Sequence, residues 1–431
     1  MKKIFLVYIS LVLFTGMAQA QDDVYPAPAQ TRDILIKNGT IHVGNGQVLK
    51  NTSILVQQGK ITAIGNDLKN ENAVVIDASG KQVYPGLIAA STIIGLREVT
   101  GSVRGTNDYR ELGELNPNVR SVVSYNADSK IINILRSNGI LLANIIPQGS
   151  LLMGTSSVVQ FDAWNWEDAA YKLDGGIHIN FPGLLIRRSR FRQNASITDQ
   201  QKEAMEKVEM LRSFFKEAKA YLAEKNHAVT NLKFEAVKGL YDKSQKLYIH
   251  CDIVKEMLVA IDFAKAFGFD VVIVGGSESW RIADLLNQNG IAVILQQLHD
   301  LPTLDDDDVD QPFKTPFLLK KAGVLFCIND NDGNTTGRNL AFNAGTSAAY
   351  GLNKEEALQA ITLDAAKILG ISDKTGSLET GKDANIIIST GDVLDMETSV
   401  ITNALIQGRE INLMDKHKQL NKRYERKYGI K

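Results

Sequence analysis

Two histidines stand out by their settings. His250 closes the apolar run Leu247-Tyr248-Ile249-His250-Cys251, and His178 sits within Gly176-Ile177-His178-Ile179-Asn180-Phe181-Pro182. An imidazole at the end of a strand can bind a metal, contact a ligand or fill space, and one neutral imidazole alone is a weak metal site. His178 reads either as a pocket residue or as a loop histidine bonded to backbone. Gly275-Gly276-Ser277 opens what reads as a helix from Ser277 to Asn289. Backbone N–H groups there suit an anion, and Ser277 equally suits an N-cap. The acidic run Asp305 to Asp308 with Asp310 offers oxygen donors of the kind calcium prefers. It lacks the spacing of a calcium loop and reads as a solvated loop. Trp164, Trp166 and Trp280 serve either to line a pocket or to pack.

The elements that would carry these residues fall into three parts. Asp33 begins a β-rich unit: Ile34 to Ile41 with an Asn38-Gly39 turn, then Val48 to Val56, Lys60 to Ile64 and Ala73 to Ile76. The same texture returns near the end of the chain, with Ile386 to Ser389, Val400 to Gln407 and Gly408 to Ile411. Between them, short apolar strands alternate with amphipathic helices, the pattern of parallel β/α architecture. Strands are expected at Leu87 onward, Ile140 to Ile146, Val158 to Phe161, Lys246 to Cys251, Asp270 to Val274, Ile291 to Leu295 and Gly323 to Ile328. Helices are expected at Ser196 to Lys225 and Ile253 to Phe267. Gly149 to Thr155, with Ser156 and Ser157, reads as a polar loop able to lend donors to a pocket. The tail Lys416 to Lys431 reads as a helix docked by Leu420, Tyr424 and Tyr428 at spacing four, with any partner-binding role secondary.

The chain has 431 residues, is 44% hydrophobic and carries a formal net charge of −1. That length supports a large core, and that charge gives no electrostatic case for nucleic acid or an anionic membrane. Lys2 and Lys3, the apolar run Ile4 to Gly16 and Ala18-Gln19-Ala20 form the pattern of a secretory signal peptide cut after Ala20. No later stretch is long and apolar enough to span a bilayer. The expectation is an exported protein, periplasmic or secreted. Cys251 and Cys327 both lie in apolar runs, which favours two buried free thiols over a disulfide.

The stretch Tyr84-Pro85-Gly86-Leu87-Ile88-Ala89-Ala90-Ser91-Thr92-Ile93-Ile94-Gly95-Leu96 resembles the first barrel strand of the amidohydrolase superfamily, where the pattern is Pro-Gly-Leu-Ile-Asp-x-His-x-His. Gly376-Ser377-Leu378-Glu379-Thr380-Gly381-Lys382-Asp383-Ala384-Asn385 is similar to that family's exit from barrel to sandwich, and Ala357 to Ala366 to the helix before it. The nearest branch is imidazolonepropionase- or prolidase-like. The resemblance implies an α/β fold: a (β/α)8 TIM-type barrel with a small β-sandwich built from both ends of the chain. The implied division is 1–20 signal peptide, 21–32 extended leader, 33–84 plus 376–412 sandwich, 85–375 barrel, and 413–431 a C-terminal helix.

The same resemblance implies a metal that activates water, held at the ends of the first, fourth, fifth, sixth and eighth strands. Here Ser91 and Ile93 stand for the two first-strand histidines, and Gly275 for a sixth-strand histidine. His178 is the fourth-strand candidate, and His250 keeps the fifth-strand position. On the eighth strand Asn331 takes the place of the aspartate that orients water. A shift of one residue brings in Asp330 or Asp332, either of which retains a general base. His178, Asn331 and Ser277 are candidate pocket residues. A single divalent ion such as zinc is the cofactor the family implies, with at most His250 and one aspartate to hold it. The expected protein is therefore a degenerate family member, non-catalytic or weakly active. It would bind a small ligand at the barrel mouth, or pair as a homodimer or with an active paralogue. The alternatives are a working hydrolase on non-peptide C–N or dipeptide-like bonds with an atypical site, and a structural or assembly subunit.

Overall fold

The computed structural model describes residues 24–98, 109–149, 151–184, 197–224, 226–296, 298–330 and 336–430. The expected signal peptide at 1–20, the first three residues of the extended leader, and two candidate site residues, Asn331 and Asp332, lie outside them. Five strands come first: β1 (Ile34–His42), β2 (Val48–Gln57), β3 (Lys60–Gly65), β4 (Val74–Asp77) and β5 (Gln82–Pro85). Eight follow in the middle: β6 (Leu87–Thr92), β7 (Ile140–Ile145), β8 (Leu152–Gln160), β9 (Ala170–Asn180), β10 (Lys246–Cys251), β11 (Val271–Gly275), β12 (Ala292–Leu295) and β13 (Phe326–Ile328). The last are β14 (Ile386–Ser389), β15 (Ile401–Ile406) and β16 (Arg409–Glu410).

One sheet takes strands from both ends of the chain, in the order β16-β15-β14-β5-β1-β2-β3, with β4 beside β1. The junction is the antiparallel pair β5 and β14, Pro85 opposite Ile386. Immediately beyond it the Gly86 N–H donates to the Asn385 carbonyl at 2.9 Å. The barrel-entry and barrel-exit motifs, 299 residues apart (385 − 86), are thus bonded to each other. Asn38-Gly39 does not end β1 as its residues suggest. Asn38 takes φ 61° and the ladder slips between Ile36 and Gly39, so the pair forms a bulge and the strand runs on to His42.

The second sheet runs β6 through β13 in sequence order and curls into a nearly closed barrel. The pairs are parallel except around β8, which is antiparallel to β7 and β9. The polar stretch read as a loop is therefore mostly strand. Residues 146–151 are too few for the crossover that a parallel strand needs, so the chain turns straight back. Gly154, at φ 134°, allows the strand to pass Val119: a Cβ there would sit 2.5 Å from the Val119 carbonyl oxygen.

No ladder joins β6 to β13 among the described residues. The gap is bridged by one side chain. The Asn329 carboxamide accepts from the Ser91 N–H at 3.1 Å and donates to the Ser91 carbonyl at 2.8 Å, imitating a backbone pair. At the barrel's other end, Lys172 Nζ donates to the Leu369 carbonyl at 3.0 Å and Lys246 Nζ to the Ile368 carbonyl at 2.7 Å. These lysines satisfy the last carbonyls of the helix Leu363–Leu369, a favourable site for cations. The tail helix, Lys416–Tyr428, is present, but its aromatic stripe is not docked: Tyr424 and Tyr428 are 52% and 65% exposed. Both cysteines are buried and free. No helix among the described residues is long and apolar enough to cross a membrane.

Candidate functional site at the barrel mouth

Side chains alternate along a strand, so the register sets which residues share the barrel interior. Tyr248 lies opposite His178 on the neighbouring strand, and His250 opposite Asn180. His178 belongs to β9, not to a loop, and its partners are side chains. Its ring stacks on Tyr248, with centroids 4.7 Å apart and planes 5° from parallel. Its Nδ1 is 2.9 Å from His250 Nε2, and its Nε2 is 2.8 Å from Ser156 Oγ on β8. A hydrogen-bonded chain Ser156–His178–His250 thus crosses three adjacent strands. Ser156 and His178 are buried, and His250 is partly open to the mouth.

Burial removes the hydration that an imidazolium requires. His250 is accordingly pushed down to about 4. His178 is held well below the ordinary imidazole value, by burial first and by repulsion from His250 second. Both rings are neutral near pH 7, so one proton lies between Nδ1 of His178 and Nε2 of His250. If His178 donates it, Ser156 donates to His178 Nε2 and His250 presents Nδ1–H outward. If His250 donates it, His178 donates to Ser156 and His250 presents a lone pair. His250 Nδ1 has no partner among the described residues. The pair can therefore offer a ligand either a donor or an acceptor, and the choice is linked to the Ser156 hydroxyl.

Around this chain the other candidate positions are already engaged. Gln296 Nε2 donates to Ser91 Oγ at 2.9 Å. Ile93 lies just beyond β6, half-buried. Asn329 is the first residue past β13, and its amide is held by Ser91. Asp330 follows it, and its carboxylate accepts from Asn343 Nδ2 at 3.0 Å. Gly275 ends β11 at φ 100°, and a Cβ there would sit 2.5 Å from Asp252 Oδ1. The turn after it is not a helix N-terminus. A 3-10 turn, Ser279–Ile282, comes first and the helix is Ala283–Gln288. Its N–H groups face this chain's own Asp252, whose backbone carbonyl accepts from the Glu278 N–H at 3.0 Å and whose carboxylate accepts weakly from the Ser277 N–H at 3.4 Å. Ser277 also bonds Thr303 Oγ1 at 2.5 Å and lines a cavity of only about 20 Å3, room for one water.

The donor set does not fit the metal that the fold family implies. Among the described residues, no three His, Cys, Asp or Glu side chains are grouped to hold an ion. The two imidazoles bond to each other instead of converging on a third point, and Ser91, Gln296 and Asn329 are neutral oxygen and amide groups. The acidic run is engaged by bases: Asp307 pairs with Arg281, and Asp308 and Asp310 with Lys314 at 3.2 and 2.8 Å. Ser156 was legible only as part of a polar loop able to lend donors to a pocket, and Gln296, Asn329 and Asp252 were not legible as site residues. Ser156 lies in a stretch with no strand alternation, and the other three carry no spacing signal.

The amidohydrolase family model matches residues 313–411. An imidazolonepropionase from Thermoplasma volcanium is 26% identical over 79% of this chain and 84% of its own length. The amidohydrolase tasK of Hapsidospora irregularis is 19% identical over 79% of this chain, which spans only 38% of that longer protein. The crystal structure of an amidohydrolase from Thermotoga maritima MSB8 superposes with a TM-score of 0.77 at 26% identity, covering 88% of this chain and 99% of the other. The chain belongs to the amidohydrolase superfamily, and an imidazolonepropionase is among the relatives it resembles along most of its length.

Proposed function

We propose that this protein is a superfamily member that has lost metal-activated water and is non-catalytic, or weakly active, on C–N bonds. It retains the barrel mouth as a binding site for a small polar ligand, which His250 contacts through Nδ1, or it pairs with an active paralogue. The observation that carries this reading is the state of the first-strand end. Where the family converges two imidazoles, Ser91 is bonded to Gln296 through its hydroxyl and to Asn329 through its backbone. A neutral seam does not lower the pKa of water. The Gly275 backbone supports the same reading, because its φ of 100° and the crowding by Asp252 and the Cys251 carbonyl oppose a side chain.

The second reading is an active hydrolase on non-peptide C–N or dipeptide-like bonds. It draws support from the Ser156–His178–His250 chain, which is built to hold one imidazole in a set orientation, and from Asp330 near the same mouth. The test is metal analysis of protein purified without chelator, together with turnover of Xaa-Pro dipeptides and cyclic amides with added zinc, manganese or iron. The first reading expects substoichiometric metal and no metal-dependent turnover. Stoichiometric metal with turnover that chelation abolishes overturns it in favour of the second. Export is part of the proposal and rests on Lys2, Lys3, Ile4 to Gly16 and Ala18-Gln19-Ala20. Cell fractionation and a mature N-terminus at Gln21 would support it, and an unprocessed cytoplasmic chain would refute it.

A further inference from the structure

A cavity of about 510 Å3 lies outside the barrel wall, walled by the segment 24–26, the start of the helix Lys130–Ser137, the turn after β8 and the tail helix. That volume is typical of small-ligand sites. Two aromatic rings form one side. Tyr25 and Trp164 are 62% and 68% exposed, with centroids 6.2 Å apart and planes 31° from parallel. Neither ring hangs on loose backbone. The Trp164 N–H donates to the Asp168 carboxylate at 3.0 Å, and Asn165 caps the following turn. Two residues beyond Tyr25, the Ala27 N–H donates to buried Asp162 at 2.8 Å and its carbonyl accepts from Arg409 at 3.1 Å.

The opposite side is polar and cationic. Lys130 and Lys416 both line the cavity and have no partner among the described residues. Lys130 is the first residue of its helix, whose first turn holds no acid. A cation at the positive end of a helix is unfavourable unless an anion answers it. Asn133 and Asp128 add an amide and a carboxylate to the lining, a donor and acceptors for hydroxyl groups.

We propose that this cavity binds an acidic oligosaccharide, a chain of polyhydroxylated rings bearing carboxylates. One ring face lies on Trp164 and Tyr25, the hydroxyls meet Asn133 and Asp128, and a carboxylate sits between Lys130 and Lys416. The flat aromatic pair selects a ring, and the two unanswered lysines select the acid over a neutral sugar. This site is independent of whether the barrel mouth is catalytic.

The test is calorimetric titration of the full chain with trigalacturonate, with neutral maltotriose and adenosine diphosphate as competitors. Saturable trigalacturonate binding is expected, weakened about tenfold in W164A and about tenfold in K130Q/K416Q, and weakened by added salt in the parent and in W164A but not in K130Q/K416Q. Unfolding midpoints equal to the parent's would confirm that the exposed substitutions leave the fold intact. Absence of saturable binding overturns the proposal, as does W164A binding unchanged. Maltotriose binding as tightly as trigalacturonate overturns the acidic part, and tighter binding of adenosine diphosphate overturns the saccharide.

Discussion

Replacing Asn329 tests the barrel seam directly. Its carboxamide is the group that joins β6 to β13, through bonds of 3.1 and 2.8 Å to the Ser91 backbone, and it is 1% exposed. In N329L the Ser91 N–H and carbonyl stay buried without that partner. Each such group costs about 1–3 kcal/mol, so a loss of about 3 kcal/mol is expected, equivalent to about a hundredfold faster opening of the seam. N329D differs in kind. Its carboxylate still accepts from the Ser91 N–H, but it faces the Ser91 carbonyl and the Asp330 carbonyl, to which Asn329 now donates at 2.9 Å. The protonated acid can donate again, so its folded-state pKa is raised above the unfolded value. A group so raised is more protonated in the folded state, and N329D therefore gains stability relative to the parent as pH falls from neutral towards the unfolded carboxyl pKa. Amide hydrogen exchange of the peptide spanning Leu87 to Thr92 measures the local opening, and denaturant unfolding between pH 4 and 7 measures the slope. Unchanged exchange in N329L, or an N329D slope no different from the parent's, would refute the seam.

The histidine pair makes the opposite pH prediction. His250 and His178 are neutral when folded and titrate near 6.5 when unfolded, so their contribution is complete above that value and is lost as pH falls towards 4, by about 3 kcal/mol for His250; H250Q should flatten this acid limb in a pH series of unfolding midpoints. At the end of β1, His42 is bonded to Glu355 at 2.7 Å and Gln82 at 2.9 Å. Burial pulls it down, but these bonds and the Glu355 charge more than reverse that and raise it. Its contribution is complete below 6.5 and lost as pH rises through the folded value, and E355Q should abolish that alkaline-side loss. Gly275→His is expected to destabilise by several kcal/mol, about 3 or more, and to recover no metal, since Asp252 and the positive φ both oppose a side chain; normal stability with bound zinc would contradict this. Asp162 is fully buried between Arg136 and Arg409, at 2.5 and 2.9 Å. D162A should cost about 3–5 kcal/mol because two guanidinium groups are left without their carboxylate, and a loss below 1 kcal/mol by denaturant unfolding would argue otherwise.

Much of the fold was legible because its motifs sit at junctions. Pro85-Gly86 leads into β6, where a Cβ at Gly86 would meet Leu141 at 2.6 Å, and Gly376 to Asn385 leads into β14. Both are turns with steric demands that few residues meet, so they survive as readable strings. The apolar runs of β10, β11 and β12 were equally plain, being buried on both faces. The strand β8 was not, because Gly154-Thr155-Ser156-Ser157 carries neither apolar alternation nor β-branched enrichment, and its burial comes from the neighbours on each side. The site was half legible. His250 announces itself at the end of an apolar strand. Its contact with His178 depends on the offset between β9 and β10, and no local pattern encodes that offset. Asn329 was overlooked because an asparagine among aspartates looks like solvent-facing polarity, whereas its work is to replace a missing stretch of ladder.

The reversal of β8 has a kinetic corollary. Residues 140–180 can pair as a meander through short connections, whereas uniting Ser91 with Asn329 must draw together points 238 positions apart. Closing a wide loop carries the greater entropic charge, about 0.6 kcal/mol for every doubling of its length. Assembly should therefore begin on the local meander and travel round the cylinder, with the stave between the first and last strands set in place at the end, and under load that stave should be the earliest to part.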